Sequence, residues 1–230
     1  MACTVQSGTK TATTTSNFAQ VFGTETIQTV EQSLKFMRKF TAVGISSILY
    51  IRTDLPDDSF ALKELDGVRV SMLTTRNPVA KKICDGIQNG MNALKDGYLK
   101  ELAVVFVKKD TDDIVETHSF KYILPNEIKK SKKNSAESDA DVDHLVKIAT
   151  RKLMHNMSSN LQICDGLPNG TQMLIRLQYT PETPEDYNPT GYVSLSPSSG
   201  LLKFPGEEEP VRQSFGTIDA KFYKVKLQMQ

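Results

Sequence analysis

The chain has 230 residues, three of them cysteines, and a formal net charge of +1. This length allows one large domain or two small ones with a substantial core that needs no disulfides or metals. The near-neutral charge gives no indication of nucleic-acid or membrane binding through bulk charge. No apolar run approaches the roughly 18–20 residues of a membrane span. The irregular spacing of Cys3, Cys84 and Cys164 favours reduced thiols in the cytosol or nucleus.

A polar N-terminal arm and a long buried helix are predicted at the start of the chain. Residues 1–16 are rich in Thr and Ser and lack the apolar centre of a signal peptide, which favours a solvated arm. Residues 25–51 carry apolar side chains at helical spacing on more than one face, so we expect a helix buried over much of its surface. Thr24 is the predicted N-cap. A short strand is predicted over residues 67–74.

A second helix is predicted after Asn77-Pro78, because a capping side chain followed by Pro is a typical helix start. Gly86 and Gly90 lie four residues apart within it, and each lowers helix stability by roughly 1 kcal/mol relative to Ala. Either another backbone approaches closely at these glycines, or a packed helix simply tolerates them.

A β-hairpin is predicted next, with strands over residues 102–108 and 114–124. The continuous apolar run of its first strand indicates burial on both faces. In its second strand, five side chains are expected to share one face: Ile114, His118, Phe120, Tyr122 and Leu124.

A polar loop, a third helix and a final strand follow. The loop over residues 125–140 contains Lys129, Lys130, Lys132 and Lys133, which form either a solvated cluster or a weak, salt-sensitive contact to DNA phosphates. The third helix carries six apolar residues at helical spacing: Val142, Leu145, Val146, Ala149, Leu153 and Met157.

The strand over residues 171–180 is followed by a polar tail of about fifty residues with strand-like pieces at 192–195 and 218–229. The element order predicts an α+β domain with helices on a three-stranded antiparallel sheet. The last strand can offer an edge and the tail can cross over whatever binds there, an arrangement suited to clamping a peptide.

Candidate catalytic residues do not form an evident site. His118 shares a strand face with aromatic side chains, which favours a packed or hydrogen-bonded histidine. His144 and His155 lie almost three turns apart on the third predicted helix, and a histidine pair without a third ligand is a poor metal site. Cys164 has no sequence-evident histidine partner. The sequence therefore predicts no enzyme activity, metal or cofactor, and a small hydrolase that uses Cys164 is the alternative from another class.

Four segments near the two ends of the chain resemble HORMA domains. The run Gly44-Ile-Ser-Ser-Ile-Leu-Tyr-Ile-Arg52, followed by Leu55-Pro-Asp-Asp-Ser-Phe60, resembles the end of the first HORMA helix. Val211-Arg-Gln-Ser-Phe215 and Lys221-Phe-Tyr-Lys-Val-Lys226 resemble the end of the HORMA safety belt. The order of elements also matches, so the resemblance covers about residues 25–229.

One branch of the family fits best. The segment Ile83-Cys-Asp-Gly-Ile-Gln-Asn-Gly-Met-Asn-Ala-Leu-Lys-Asp-Gly-Tyr-Leu-Lys100 resembles the second helix of meiotic chromosome-axis HORMA proteins, the Hop-like branch. Glu116-Thr-His-Ser-Phe-Lys-Tyr122 resembles their second hairpin strand. The alternative is a spindle-checkpoint or polymerase-accessory HORMA adaptor. Meiotic members usually continue into a long tail with a closure motif, so this chain is either a short member or a trimmed one.

The resemblance implies a flexible arm at residues 1–23, a HORMA core at 24–180 and a safety belt at 181–230. In this fold, three helices lie on a central antiparallel sheet. A partner's closure motif would add as a strand along residues 172–179, and the belt would wrap across it. The implied peptide-binding residues are Gln172, Met173, Leu174, Ile175, Arg176, Leu177, Gln178, Tyr179, Tyr192, Val193 and Leu195.

The more apolar face of that strand is expected to meet the helices, and the other face to help set the partner sequence. Arg176 is either a contact for an acidic or carbonyl group of the partner or a solvated strand residue. The implied partners are closure motifs in the tails of other meiotic HORMA or axis proteins and an AAA+ remodelling ATPase that engages the N-terminal arm. Chromatin association would be indirect, the location the meiotic chromosome axis in the nucleus, and no membrane would be involved.

Overall fold

The computed structural model describes residues 27–65, 68–125, 127, 139–192 and 212–230. Within them, three α-helices and seven β-strands make up the fold, with one short 3-10 helix, Asp57–Ser59, after the first α-helix. The helices are α1 (Val30–Arg52), α2 (Pro78–Lys95) and α3 (Asp139–Ile163). The strands are β1 (Phe60–Leu65), β2 (Val68–Leu73), β3 (Leu99–Lys108), β4 (Ile114–Ile123), β5 (Thr171–Tyr179), β6 (Gln213–Ala220) and β7 (Tyr223–Met229).

Helix α1 is the centre of the molecule, because it is buried along most of its length as the sequence predicts. Its N-cap is Thr29 and not Thr24: the Thr29 hydroxyl accepts from the Gln32 amide at 3.1 Å, and the Gln32 side chain accepts from the Thr29 amide at 3.0 Å. This reciprocal capping box satisfies backbone donors at the helix start. Gly44 is required by close packing, because a Cβ there would lie 2.7 Å from the Phe120 ring.

The predicted strand at residues 67–74 is one half of a hairpin. β1 and β2 pair antiparallel as a separate two-stranded sheet that packs on α1. The Ser46 hydroxyl of α1 accepts from the Leu73 amide at 3.1 Å, and Tyr50 meets Phe60 edge to face. β1 was missed because the sequence signals after Leu55-Pro56 indicate only that the helix ends there.

In the described part of the chain, the central sheet has five antiparallel strands in the order β5-β3-β4-β7-β6, so the prediction of three strands was wrong in number. The two additional strands come from the tail. The predicted single strand at 218–229 is a hairpin whose turn lies at Lys221, where φ is +67°. The Asp219 carboxylate accepts from the Lys221 amide at 3.1 Å and supports that turn.

The predicted β3–β4 hairpin is confirmed, and β3 is buried on both of its faces. Leu102, Val104 and Phe106 belong to the main core beneath the helices, whereas a second cluster on the opposite face contains Ala103, Val105, Val107 and Ile114. The expectation that Ile114 shares a face with His118 was wrong. The register shifts between Phe106 and Val107, and this bulge turns Ile114 to the other side.

The remaining predicted helices are confirmed, with one change of face. The Asn77 side chain caps α2 by accepting from the amides of Val79 and Ala80, at 2.9 and 3.3 Å. Helix α3 covers the C-terminal hairpin and buries Val146, Leu153, Met154, Met157 and Leu161. Leu145 is 53% exposed, although the sequence places it on the buried stripe.

No helix among the described residues has both the length and the apolarity needed to cross a membrane.

Candidate functional site

Strand β5 carries the implied peptide-binding residues 172–179, and it lies at one end of the five-stranded sheet. Within the described residues it pairs with β3 alone, from Leu99↔Tyr179 to Lys108↔Thr171. An end strand has backbone N–H and C=O groups on its outer side that a further extended chain can pair with. The geometry of this edge therefore allows strand addition.

The two faces of β5 differ as the alternation in its sequence predicts. Met173, Ile175, Leu177 and Tyr179 are partly buried against the main core, on the helix side. Leu174 lies on the other face and is 36% exposed. The apolar face of the strand therefore meets the helices, which confirms that expectation.

Arg176 is more than a solvated strand residue, because it has a charged partner within the sheet. Its guanidinium donates to the Glu101 carboxylate of β3 at 3.4 Å, and 39% of its side chain is exposed. The Ser119 hydroxyl donates to the same carboxylate at 2.9 Å, and the Lys121 ammonium lies 3.7 Å away. Arg176 thus helps to neutralise a buried glutamate on the face away from the helices.

The segment after β5 is fixed to the neighbouring end of α2. The Thr180 amide donates to the Tyr98 carbonyl at 2.8 Å, which continues the strand by one residue. The Tyr187 hydroxyl donates to the Asp96 carboxylate at 2.9 Å, and its ring meets those of Tyr98 and Tyr179 edge to face. Burial, then the hydrogen bond to Asp96, raises the pKa of Tyr187.

Tyr192 enters a notch on α2 at Gly90, where the helix lacks a side chain. Its hydroxyl donates to the Gly86 carbonyl at 3.0 Å. A Cβ on Gly90 would lie 2.9 Å from the Tyr192 hydroxyl and 3.1 Å from a Leu177 methyl, so Gly90 has space for nothing larger than hydrogen. Side chains of Tyr192 and Leu177, rather than another backbone, account for this glycine.

We name residues 180–192 the belt root, because they are the first part of the tail and are held in place at both ends. The Asn89 side chain adds a bond to the Thr190 carbonyl at 3.0 Å. Sequence reasoning selected Tyr192 but missed Tyr187 and its partners, since the contact to Asp96 joins residues 91 positions apart. Tyr192 is not in a strand, and Val193, Leu195, residues 1–23 and the four loop lysines lie outside the described residues.

A buried polar cluster joins α1 to the sheet, but it does not have the character of a catalytic site. The Arg52 guanidinium donates twice to the Glu116 carboxylate, at 2.9 and 2.5 Å, and His118 Nε2 lies 2.5 Å from the same group. His118 is fully buried and its ring packs edge to face on Phe106, so the packed and hydrogen-bonded histidine expected from the sequence is confirmed.

Burial acts to raise the pKa of Glu116, but hydrogen bonds from His118 and Arg52 outweigh it, and the pKa lies below its ordinary value. Burial, followed by the charge of Glu116, raises the pKa of the Cys164 thiol, which donates to the Asn160 carbonyl at 3.2 Å. A nucleophilic cysteine needs the opposite shift. The cluster is therefore a structural ion pair beside an unactivated thiol.

His144 and His155 lie along one surface depression of α3, as their spacing suggests. In the part of the chain that the structure describes, no three His, Cys, Asp or Glu side chains come together as metal ligands.

The fold and these contacts define a class of α+β domain in which a long C-terminal segment leaves the strand at one edge of a sheet and joins the sheet at its opposite edge. Three helices lie on one face of that sheet. The chain belongs to the HORMA domain family, because the family model of the HORMA domain matches residues 33–223. This confirms the family and the fold expected from the sequence.

Curated relatives extend over most of the chain. HORMA domain-containing protein 2 of Bos taurus is 27% identical over 206 residues, which cover 86% of this chain and 66% of that protein. HORMA domain-containing protein 1 of Danio rerio is 26% identical over 212 residues, which cover 88% of this chain and 58% of that protein. The chain thus spans at most about two thirds of the length of these relatives.

Solved structures share the fold at low sequence identity. C. elegans HTP-2 bound to HTP-3 closure motif 1 has a TM-score of 0.77 and 18% identity, covering 94% of this chain and 92% of that chain. HTP-2 bound to the HIM-3 closure motif has a TM-score of 0.76 and 19% identity, covering 92% and 95%. A chain of the mitotic checkpoint complex has a TM-score of 0.65 and 14% identity, covering 86% and 97%.

Proposed function

We propose that this chain is a non-enzymatic adaptor that binds a short extended peptide by adding it as a strand to β5. The observation that carries the proposal is the placement of the C-terminal hairpin. β7 pairs with β4 at the far side of the sheet, so within the described residues β5 keeps an outer side without a strand. Backbone hydrogen bonds along that side give affinity for any extended peptide, and alternate side chains select its sequence.

The tail explains why a bound peptide would be retained. Its root is fixed beside β5, at Tyr187 and Tyr192, and its end is built into the opposite edge of the sheet. A peptide paired with β5 and covered by residues between these points can leave only when the tail detaches. The dissociation rate, which dominates affinity differences in most interfaces, then depends on opening the tail.

We further propose that the peptides are closure motifs in the tails of other meiotic HORMA or axis proteins. Support comes from relatives that are HORMA domain-containing proteins 1 and 2, and from HTP-2 structures that contain closure motifs. The adaptor would support axis assembly, homologue pairing, synapsis and crossover control in the meiotic nucleus. An AAA+ ATPase acting on residues 1–23 would remodel it, and its chromatin association would be indirect.

Strand addition can be tested by hydrogen–deuterium exchange with peptides selected from a random library displayed on phage. We expect a selected peptide to slow exchange of amides in β5 and to leave β6 unchanged, because only β5 gains backbone partners. β6 is a matched internal control, since it is the end strand on the other side of the same sheet. Slowed exchange in β6 or α3 without β5 would show that the peptide binds elsewhere.

The cellular role can be tested by localisation in meiotic cells. We expect a tagged chain to follow chromosome axes, and to lose that pattern when Ile175 is replaced by Pro, which distorts the proposed receiving strand. Neutralising Lys129, Lys130, Lys132 and Lys133 should leave the pattern intact. Localisation that needs the lysines and survives Ile175→Pro would contradict peptide-dependent recruitment.

A further inference from the structure

The tail carries every Ser-Pro and Thr-Pro pair of the chain. Ten prolines occur in the sequence, and three of them follow a serine or threonine: Pro181, Pro184 and Pro197. All three pairs lie between residues 180 and 197, in the segment that leaves β5. Proline-directed protein kinases accept a serine or threonine that is followed by proline, a residue without a backbone N–H. The belt root is thus the one described part of the chain that contains acceptors of this kind.

The structure distinguishes the two threonines of the belt root. The Thr180 amide donates to the Tyr98 carbonyl at 2.8 Å, so Thr180 is held as a continuation of the sheet. Thr183 is half-buried beyond that pairing, in a turn where its amide donates to the Thr180 carbonyl at 3.2 Å. Residues 181, 182 and 184–186 around it are exposed. Because an exposed turn opens at a smaller free-energy cost than a paired strand, Thr183 is the more accessible acceptor.

The surroundings of Thr183 are acidic. Three carboxylates of the belt root form no ion pair with any described residue: Glu182, Glu185 and Asp186. The next residue, Tyr187, bonds to the Asp96 carboxylate, and Asp96 is the C-cap of α2. The C-terminal end of a helix carries partial negative charge. The belt root is therefore attached to a negative end of α2 while carrying uncompensated negative charge itself.

The attachment of the belt root depends on contacts without positive charge. The Tyr187 hydroxyl bonds to Asp96, and the Tyr192 hydroxyl bonds to the Gly86 carbonyl. The Asn89 amide donates to the Thr190 carbonyl at 3.0 Å. None of these contacts would compensate for further negative charge on residues 182–186, so such charge would oppose the attachment.

We propose that Thr183 is a phosphorylation site of a proline-directed kinase, and that its phosphorylation releases the belt root from α2. The kinase transfers the γ-phosphoryl group of ATP to Thr183 Oγ. The bond between the γ-phosphorus and the β–γ bridging oxygen breaks, the Oγ–P bond forms, the hydroxyl proton is lost and ADP leaves. The phosphate carries close to two negative charges at neutral pH, so the charge of residues 182–186 changes from −3 to about −5.

The added charge favours the released form of the belt root. In the attached form, the phosphate stays near the neighbouring carboxylates and the end of α2. In the released form, the segment can extend and move these like charges apart, which lowers their repulsion. Phosphorylation also consumes the Thr183 hydroxyl, which lies 3.3 Å from the Thr180 hydroxyl. Both changes shift the equilibrium towards release.

The consequence for binding rests on the proposed function. A tail that retains a peptide on β5 would lose the attachment of its root, and the peptide would dissociate faster. A kinase would thereby control how long the peptide stays bound without any change to β5 itself.

Mass spectrometry tests the site, after incubation of the chain with ATP and either a cyclin-dependent or a mitogen-activated protein kinase. We expect phosphate on Thr183 and far less on Thr180, which the sheet holds. Thr183→Ala should remove this phosphate. Absence of phosphate from Thr183 with both kinases, or preferred modification of Thr180, would overturn the site.

Hydrogen–deuterium exchange of the phosphorylated chain tests the release. We expect the amides of residues 187–192 to exchange about fivefold faster or more, the effect of one additional pair of like charges at close range in water. Helix α3 should be unchanged and serves as the internal control. High salt should reduce the difference, because it screens exposed charges. Unchanged or slower exchange at residues 187–192 would overturn the release.

Thr183→Glu and Thr183→Gln form a matched pair, because the two new side chains have the same size and differ by one charge. Both remove the hydroxyl, so we expect the amides of residues 187–192 to exchange faster in Thr183→Glu than in Thr183→Gln. Circular dichroism confirms that each variant is folded. Equal exchange in the two variants would overturn the role of charge.

Fluorescence anisotropy with a labelled peptide from the phage selection separates this inference from the proposed function. We expect the peptide to dissociate faster from the phosphorylated chain than from Thr183→Ala treated in the same way. Faster exchange of residues 187–192 with an unchanged dissociation rate would contradict retention by the tail, whereas the phosphorylation site and the release would stand.

Discussion

The two end strands of the central sheet are built in different ways. β6 is joined to the core: Phe215, Ile218 and Ala220 are at most 3% exposed, and α3 packs across the strand. β5 is only partly covered: Met173, Ile175 and Leu177 are half-buried at the rim of the core. The two ends of one sheet thus differ in burial: one completes the core, and the other keeps apolar surface near an edge that has no strand partner among the described residues.

This difference shows how the chain handles the general hazard of sheet edges. An exposed end strand is a template for pairing with other chains, and proteins usually shield it. Here the C-terminal hairpin ends the sheet with β6, and helix α3 holds that strand to the core. At the other edge the belt root is fixed by Tyr187 and Tyr192, and no neighbouring strand lies there among the described residues. Under the proposed function, the β6 side contributes stability and the β5 side receives the peptide.

Both edge strands belong to one sheet, which the buried ion pair of Glu116 with Arg52 joins to α1. A substitution of Glu116 tests how much this connection contributes to stability. Glu116→Gln should lower the free energy of unfolding at neutral pH by about 3–5 kcal/mol, because the buried Arg52 loses its counter-charge. Since the pKa of Glu116 is lowered in the folded state, its stabilisation is complete above the ordinary pKa of 4.5 and is lost as the pH falls through the folded pKa.

Urea unfolding at a series of pH values measures this contribution. The parent protein should lose stability as the pH falls below about 5, and Glu116→Gln should flatten that part of the curve. A variant that keeps the full acid sensitivity would show that other carboxylates cause it.

A matched pair of isoleucines compares the two edges directly. Ile218→Ala should lower the free energy of unfolding by about 2–4 kcal/mol, because Ile218 of β6 is fully buried and its removal leaves a cavity. Ile175→Ala should lower the free energy of unfolding by about half as much or less, because Ile175 of β5 is only half-buried. Equal losses in urea unfolding would remove the distinction between a structural edge and a binding edge.

Substitutions of the two glycines of α2 test whether the notch at Gly90 holds the belt root in place. Gly86→Ala should stabilise the protein by up to about 1 kcal/mol, because the nearest atom to the new Cβ, a methyl of Ile175, is 4.0 Å away. Gly90→Ala gains the same helix propensity, but it crowds Tyr192 at 2.9 Å and should displace it.

Hydrogen–deuterium exchange of residues 187–192 distinguishes the two glycine variants. We expect these amides to exchange faster in Gly90→Ala and at the parent rate in Gly86→Ala. A bound peptide should be released faster from Gly90→Ala only. Unchanged exchange in Gly90→Ala would mean that the notch does not hold the belt root.

The smallest effect is expected at Arg176. Arg176→Gln should lower stability by under about 1 kcal/mol, because the ion pair with Glu101 is 39% exposed at the arginine and Ser119 still bonds the carboxylate. If Arg176 also reads the partner, phage selection with this variant should lose acidic residues from the enriched peptides. An unchanged peptide preference, with the small loss of stability, would assign Arg176 to Glu101 alone.

Features with local causes could be predicted from the sequence. Asn77-Pro78 fixes the start of α2 through its own side chain, and the apolar run of β3 follows from burial on both faces. The alternation in β5 likewise predicts which side chains meet the helices. Predictions failed where two local patterns compete: Thr29 caps α1 instead of Thr24, and a bulge turns Ile114 to the other face.

The sequence by itself determined the family, the helices, the hairpin and the strand proposed to receive a peptide, because these depend on residue spacing and short-range signals. Only the tertiary structure decided that the tail forms two further strands at the far edge, and that Tyr192 occupies a notch at Gly90. The bond from Tyr192 to Gly86 joins residues 106 positions apart. Periodicity carries no information about such pairs, since they are selected by the packing of the whole core.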